Sequence, residues 1–139
     1  MNEYMSEIAE STFSNFDITK NNAESFYHAF VLGLVVDLKG KYNIRSNRES
    51  GFGRYDICLF PNKIQDHGII IEFKVMRPKK ESNLQKTCFN ALQQIRDKHY
   101  VNDLIQHGVS ENNIYVYGFA FNGKDVLICG GLEKDLNNI

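Results

Sequence analysis

The stretch Gly68-Ile-Ile-Ile-Glu-Phe-Lys-Val75 constrains this chain more than any other. It is an apolar run of strand length, interrupted by a carboxylate and an ammonium two residues apart. Alternate side chains of a strand share a face, so Glu72 and Lys74 point one way while Ile71, Phe73 and Val75 point the other. Two charges near the end of an otherwise buried strand cost desolvation energy unless something uses them. An edge strand with a surface ion pair is the plainer explanation, and Glu-x-Lys alone occurs by chance in many proteins. Its weight comes from residues upstream.

A chain of 139 residues fits one domain with a real core. The hydrophobic fraction of 42% and the aromatic fraction of 12% mark a folded domain, not a disordered tail. Its longest apolar runs are broken by Asp37 or Glu72, so none has membrane-span length and no membrane association is expected. Glu3, Glu7 and Glu10 stand where a secretory signal would carry positive charge. Cys58, Cys88 and Cys129 are widely spaced and odd in number. Free thiols in a reducing compartment account for them better than disulfides or a zinc cluster, which places the protein in the cytoplasm. The net charge of −1 hides an asymmetry: residues 41–80 hold nine Lys or Arg against four Asp or Glu, whereas residues 1–40 are acidic. One basic segment on a near-neutral protein suits a phosphate-rich partner bound at one site.

Along the chain, residues 2–10 have the pattern of a short helix and residues 11–20 that of a turn-rich, linker-like connection. Asn21 or Asn22 caps a helix running to about Leu38, with Phe26, Phe30, Val31, Leu34, Val35 and Leu38 as its buried stripe and Gly40 as its stop. Strands follow at Tyr42–Glu49 and Arg54–Phe60, joined through Ser50-Gly-Phe-Gly53. The central strand then ends before Pro78. Residues 81–106 are helical, with a break near His99–Val101 and a stop at Gly108. Asn113–Phe121 and Lys124–Cys129 form a final hairpin around Asn122-Gly123, and the end of the chain is expected to fray. The order of helix, three strands, helix, two strands implies a right-handed crossover and a mixed β-sheet flanked by helices, an α/β fold. Tyr100 and Phe121 are assigned to the core, and His67, His99 and His107 to structural or exposed positions.

Asp56 lies mid-strand, where propensity disfavours it, and shares a face with Arg54 and Cys58. An aspartate in one strand and Glu-x-Lys in the next can converge. A divalent cation relieves the repulsion between two such carboxylates, and oxygen-only ligation with open positions suits Mg²⁺ or Mn²⁺. Glu24 falls in the first turn of the first helix, where dipole complementation alone explains it.

Taken together, the stretches Glu24–Leu34, Ser46–Asp56, Ile70-Ile-Glu-Phe-Lys74 and Ala91-Leu-Gln-Gln-Ile95 resemble the PD-(D/E)XK nuclease superfamily, with its αβββαβ restriction-endonuclease-like core. More narrowly, the chain is similar to the nuclease-like domain at the C-terminal end of bacterial AAA-ATPase-like proteins. The resemblance implies a nuclease-like domain over residues 21–130, an N-terminal helix and linker-like segment over 1–20, and a tail over 131–139. It implies Asp56 and Glu72 as metal carboxylates, the main-chain carbonyl of Phe73 as a further ligand and Lys74 as the catalytic lysine. Glu24 matches the acidic residue that completes the site in resolvase-like members, and Gln94 a glutamine of the second helix, with Gln93 as the fallback. Tyr55 precedes Asp56 where the superfamily name has proline, which leaves the carboxylate in place.

The expectation is therefore a Mg²⁺- or Mn²⁺-dependent enzyme hydrolysing DNA phosphodiester bonds. Arg48, Ser50, Arg54, Arg77, Lys79 and Lys80 are the residues expected to contact phosphates. Its alternative is a catalytically silent module of the same fold that binds nucleic acid or a partner ATPase. The named partners are DNA and an AAA-ATPase-like region of a longer chain, with room for a homodimer.

Overall fold

The computed structural model of the protein describes residues 22–49, 54–76, 82–97, 100–122 and 125–136. A helix α1 (Asn22–Asp37) leads into strands β1 (Tyr42–Glu49), β2 (Arg54–Pro61) and β3 (Gly68–Val75). Helices α2 (Leu84–Asp97) and α3 (Tyr100–His107) come next, and then a single 3₁₀ turn at Glu111–Asn113. Strands β4 (Ile114–Asn122) and β5 (Asp125–Leu132) and a short helix α4 (Glu133–Leu136) complete the described chain. The expected N-terminal helix over residues 2–10 lies outside the described residues. Where a frayed tail was expected, α4 continues directly from β5.

The five strands form one sheet in the order β1-β2-β3-β4-β5. Neighbouring strands are antiparallel except β3 and β4, which are parallel. That single parallel pair follows from the chain: a tight turn cannot join parallel strands, so the link between β3 and β4 needs a helical crossover. In the second helical region α2 ends at Asp97 and α3 begins at Tyr100, and the break expected near His99 falls in part on residues 98 and 99, outside the described residues. Gly40 and Gly108, just beyond α1 and α3, have φ of 81° and 110°, left-handed values that only glycine adopts without strain.

A core lies on each face of the sheet. On one face, α1 presents Phe30 and Leu34 to Ile57, Leu59, Ile69, Ile71, Phe73, Tyr117 and Phe119. The ring of Phe30 stands edge-on to both Phe73 and Phe119, at 5.7 and 5.2 Å between centroids, an arrangement that aromatic quadrupoles favour. On the other face, α2 and α3 cover Cys58, Phe60, Ile70, Ile114 and Val116 with Ile95 and Leu104. Two of the three histidines assigned to structural or exposed positions make packing contacts: His67 stands edge-on to Tyr115, and His107 to Phe60 with a ring nitrogen 3.1 Å from the Pro61 carbonyl oxygen. His99 lies outside the described residues.

One expectation is corrected. Cys88 and Cys129 are joined as a disulfide, while Cys58 remains free and buried. These two cysteines are 41 residues apart in sequence, and only the crossover that lays α2 over β4 and β5 brings them together. Spacing along the chain carried no sign of it.

The hydroxyl of Tyr117 is buried with no hydrogen-bond partner. Burial, and then the neighbouring Tyr115, push its pKa up to about 12. Ionisation is therefore harder in the folded state than in the unfolded one, so through this group stability is unchanged with pH below 10, the ordinary value, and falls as pH rises towards 12. Tyr117→Phe removes an unsatisfied group and should raise unfolding free energy by about 1 kcal/mol near neutral pH. Urea unfolding at a series of pH values checks both points: the midpoint should fall less steeply above pH 10 in the variant than in the parent.

Candidate active site

The register of β2 against β3 sets the site. Asp56 is the direct cross-strand partner of Glu72, and Arg54 that of Lys74. In a twisted antiparallel pair, side chains of directly opposed residues stand about 5 Å apart at Cβ and share a face. One rung of the sheet thus carries two carboxylates, and the next rung on the same face carries two basic residues. Both carboxylates are buried, with exposures of 1% for Asp56 and 0% for Glu72, while Lys74 is half-buried. The face they occupy is the one covered by α2. Exposure on this face rises from Glu72 to the half-buried Lys74, towards the end where β3 finishes and β2 begins.

Helix α2 comes close to this rung for a specific reason. Glu72 is registered on its other side with Gly118 of β4, which has no side chain. A Cβ placed there would sit 2.9 Å from the Cys88 carbonyl oxygen and 3.1 Å from Ala91 Cβ, so glycine lets the helix backbone descend onto the sheet. Gln94 lies one turn beyond Ala91, and its Oε1 is buried without a hydrogen-bond partner. One oxygen of each carboxylate, Asp56 Oδ1 and Glu72 Oε1, is likewise buried without a hydrogen bond, although both residues have other interactions. Buried acceptor oxygens gathered on one rung form a donor set suited to a hard cation.

The structure thus brings Asp56, Glu72 and Lys74 together on one face, with the helix of Gln94 above them. Glu24 belongs to the first turn of α1, which packs on the opposite face of the sheet, and its side chain lies outside the described residues. Among the described residues no three His, Cys, Asp or Glu side chains form a metal-binding group. Phe73 sends its ring into the α1 core, as the alternation of β3 requires. Arg48 and Arg54 lie on β1 and β2, with Arg48 on the rung of Tyr55 and Arg54 on that of Lys74. Ser50, Arg77, Lys79 and Lys80 lie outside the described residues. Sequence reasoning missed Gly118, whose role depends on a neighbour in β3 that only the register identifies.

A mixed five-stranded sheet with paired acidic strands and a crossover helix over them defines a restriction-endonuclease-like α/β fold. The sequence profile of the PD-(D/E)XK nuclease superfamily matches residues 22–130, and the chain belongs to that superfamily. No curated protein matches the chain. Among the described residues no helix is long and apolar enough to cross a membrane.

Like charges directly opposed across strands destabilise a sheet. In metal-free buffer Glu72→Gln should therefore raise unfolding free energy by roughly 1 kcal/mol. Thermal melts in chelator check this, and a lowered melting temperature would show that the charged pair stabilises the fold.

Proposed function

We propose that the protein is a metal-dependent nuclease that hydrolyses DNA phosphodiester bonds. The observation that carries this reading is the pairing of Asp56 with Glu72 on one buried rung, with Lys74 on the next. Superfamily membership makes a nucleic acid the expected substrate. Asp56, Glu72 and the main-chain carbonyl of Phe73 would hold Mg²⁺ or Mn²⁺, with Glu24 as a further carboxylate. When bound, such a cation supplies charge neutralisation at the phosphate and acidifies a water.

The chain's own groups do the rest. Lys74, half-buried where β3 finishes, orients the attacking water and balances negative charge as it develops on the phosphate. Gln94, on the helix that covers this face, would position that water by accepting a hydrogen bond from it at Oε1, while its proton passes to solvent. Arg54, on the Lys74 rung, and Ser50, Arg77, Lys79 and Lys80 would contact backbone phosphates, which fixes the strand without reading its bases. Arg48, on the rung of Tyr55, belongs to the other face of the sheet and would reach a phosphate only around the end of β1.

A second reading has one observation in its favour. Leu32 and Val36 stand one turn apart on α1 and are 65% and 70% exposed, and such a patch suits a silent module docked on an AAA-ATPase-like region of a longer chain. The two readings separate on chemistry.

Plasmid, linear duplex and single-stranded DNA incubated with Mg²⁺ or Mn²⁺ should be cleaved, and chelator should stop cleavage. Lys74→Ala and Glu72→Ala should each lower the rate by at least about 10²-fold. Cleavage that survives both substitutions rejects the assignment. Cation binding has its own readout: at 100 times its dissociation constant the ion should add about 2.7 kcal/mol of stability to the parent protein, and none to Asp56→Asn.

A further inference from the structure

The disulfide occupies the same rung as the carboxylates. Reading across the sheet, Asp56 is registered with Glu72, Glu72 with Gly118, and Gly118 with Cys129. Directly registered residues share a face, so Cys129 stands on the α2 side two strands from Glu72, or roughly 10 Å at the usual strand spacing. Cys88 reaches it from α2 over the space that Gly118 leaves vacant. A Cβ at Gly118 would lie 3.4 Å from Cys129 Sγ. The sulfur bridge therefore ties the helix that carries Gln94 to the rung that carries Asp56 and Glu72.

We propose that Cys88 and Cys129 form a reversible, redox-controlled staple that sets how firmly α2, and with it Gln94, is held over the carboxylate rung. Its consequence for catalysis rests on the nuclease reading above; the staple itself does not. Three observations support reversibility. The fold provides for the reduced state as well as the oxidised one, because a Cys88 thiol has the Gly118 carbonyl oxygen at 3.1 Å and that of Leu127 at 3.5 Å as acceptors. The two sulfurs differ in access: Cys129 is half-buried on β5, the edge strand of the sheet, while Cys88 is 1% exposed. No competing thiol is at hand, since Cys58 is fully buried, and its burial and then the nearby Asp103 push its pKa up.

The exchange chemistry follows from that access. A small-molecule disulfide such as oxidised glutathione meets Cys129 first. The Cys129 thiolate attacks one of its sulfurs, forms a mixed disulfide and expels one thiolate. The Cys88 thiolate then attacks Cys129 Sγ, forms the Cys88–Cys129 bond and expels the second thiolate. Two cysteine thiols are oxidised by two electrons, one external disulfide is reduced by two, and the two cysteine protons pass to the two released thiolates. Reduction by excess thiol runs the same steps backwards and leaves α2 held by packing and the weaker thiol hydrogen bonds alone.

The test equilibrates the full chain with oxidised or reduced glutathione. Non-reducing peptide mapping, amide exchange over residues 88–95 and Mg²⁺-dependent cleavage are then compared between the two states. The expected result is a linked Cys88–Cys129 peptide, exchange in α2 slowed about tenfold on oxidation, and faster cleavage by the oxidised form. Cys129→Ser should abolish all three contrasts and Cys58→Ser none of them. Absence of the linked peptide under oxidised glutathione, or equal exchange in α2 in the two states, overturns the proposal. An exchange contrast without cleavage in either state supports the staple and overturns the nuclease reading instead.

Discussion

The pairing of Asp56 with Glu72 across β2 and β3 sets an electrostatic problem around which the sheet is arranged. Two carboxylates on one buried rung repel each other when ionised, and burial removes the water that would screen them. The surroundings answer in three ways. Lys74 and Arg54 are registered on the next rung of the same face, which puts a basic residue in the position diagonal to each acid. Gly118 admits the α2 backbone, which closes the site against bulk solvent. Asp56 Oδ1 and Glu72 Oε1 are buried acceptor oxygens on one rung, an arrangement that a hard cation would satisfy and a purely apolar packing would not.

The fold serves this pairing through asymmetry between its two faces. The α1 face is a plain aromatic and aliphatic core, in which Phe73, Phe119 and Phe30 lock together. It supplies stability, and among its described residues the Tyr117 hydroxyl is buried. The α2 face divides along the strands: Cys58, Phe60, Ile70 and Val116 form an apolar core at one end, and Asp56, Glu72 and Lys74 occupy the other. Alternation within β3 makes this division possible, because a single strand delivers Ile71 and Phe73 to one core and Glu72 and Lys74 to the site.

Much of this was legible in the sequence because it is local. The alternation of Ile71, Glu72, Phe73 and Lys74 fixes the faces of β3 without any tertiary information, and a mid-strand aspartate at position 56 signals that something compensates it. Glycines at 40 and 108 marked helix ends, and Phe30 and Leu34 fell on the buried stripe as their spacing required. What was not legible depends on register between distant segments. The link between Cys88 and Cys129 spans a crossover, so their spacing suggested free thiols. Gly118 looks like an ordinary strand glycine until its neighbours, Glu72 on one side and Cys129 on the other, are known. The sheet face on which α1 packs, and hence the distance Glu24 would have to span to join the site, likewise follows from topology and not from the helical pattern.

Crystals grown with Mn²⁺ and measured at its absorption edge test the central claim most directly, because anomalous scattering locates the ion independently of any activity. The account expects an anomalous peak between the carboxylates of Asp56 and Glu72 in the parent protein and none there in Asp56→Asn. A parent crystal saturated with Mn²⁺ that shows no peak at this rung would contradict it.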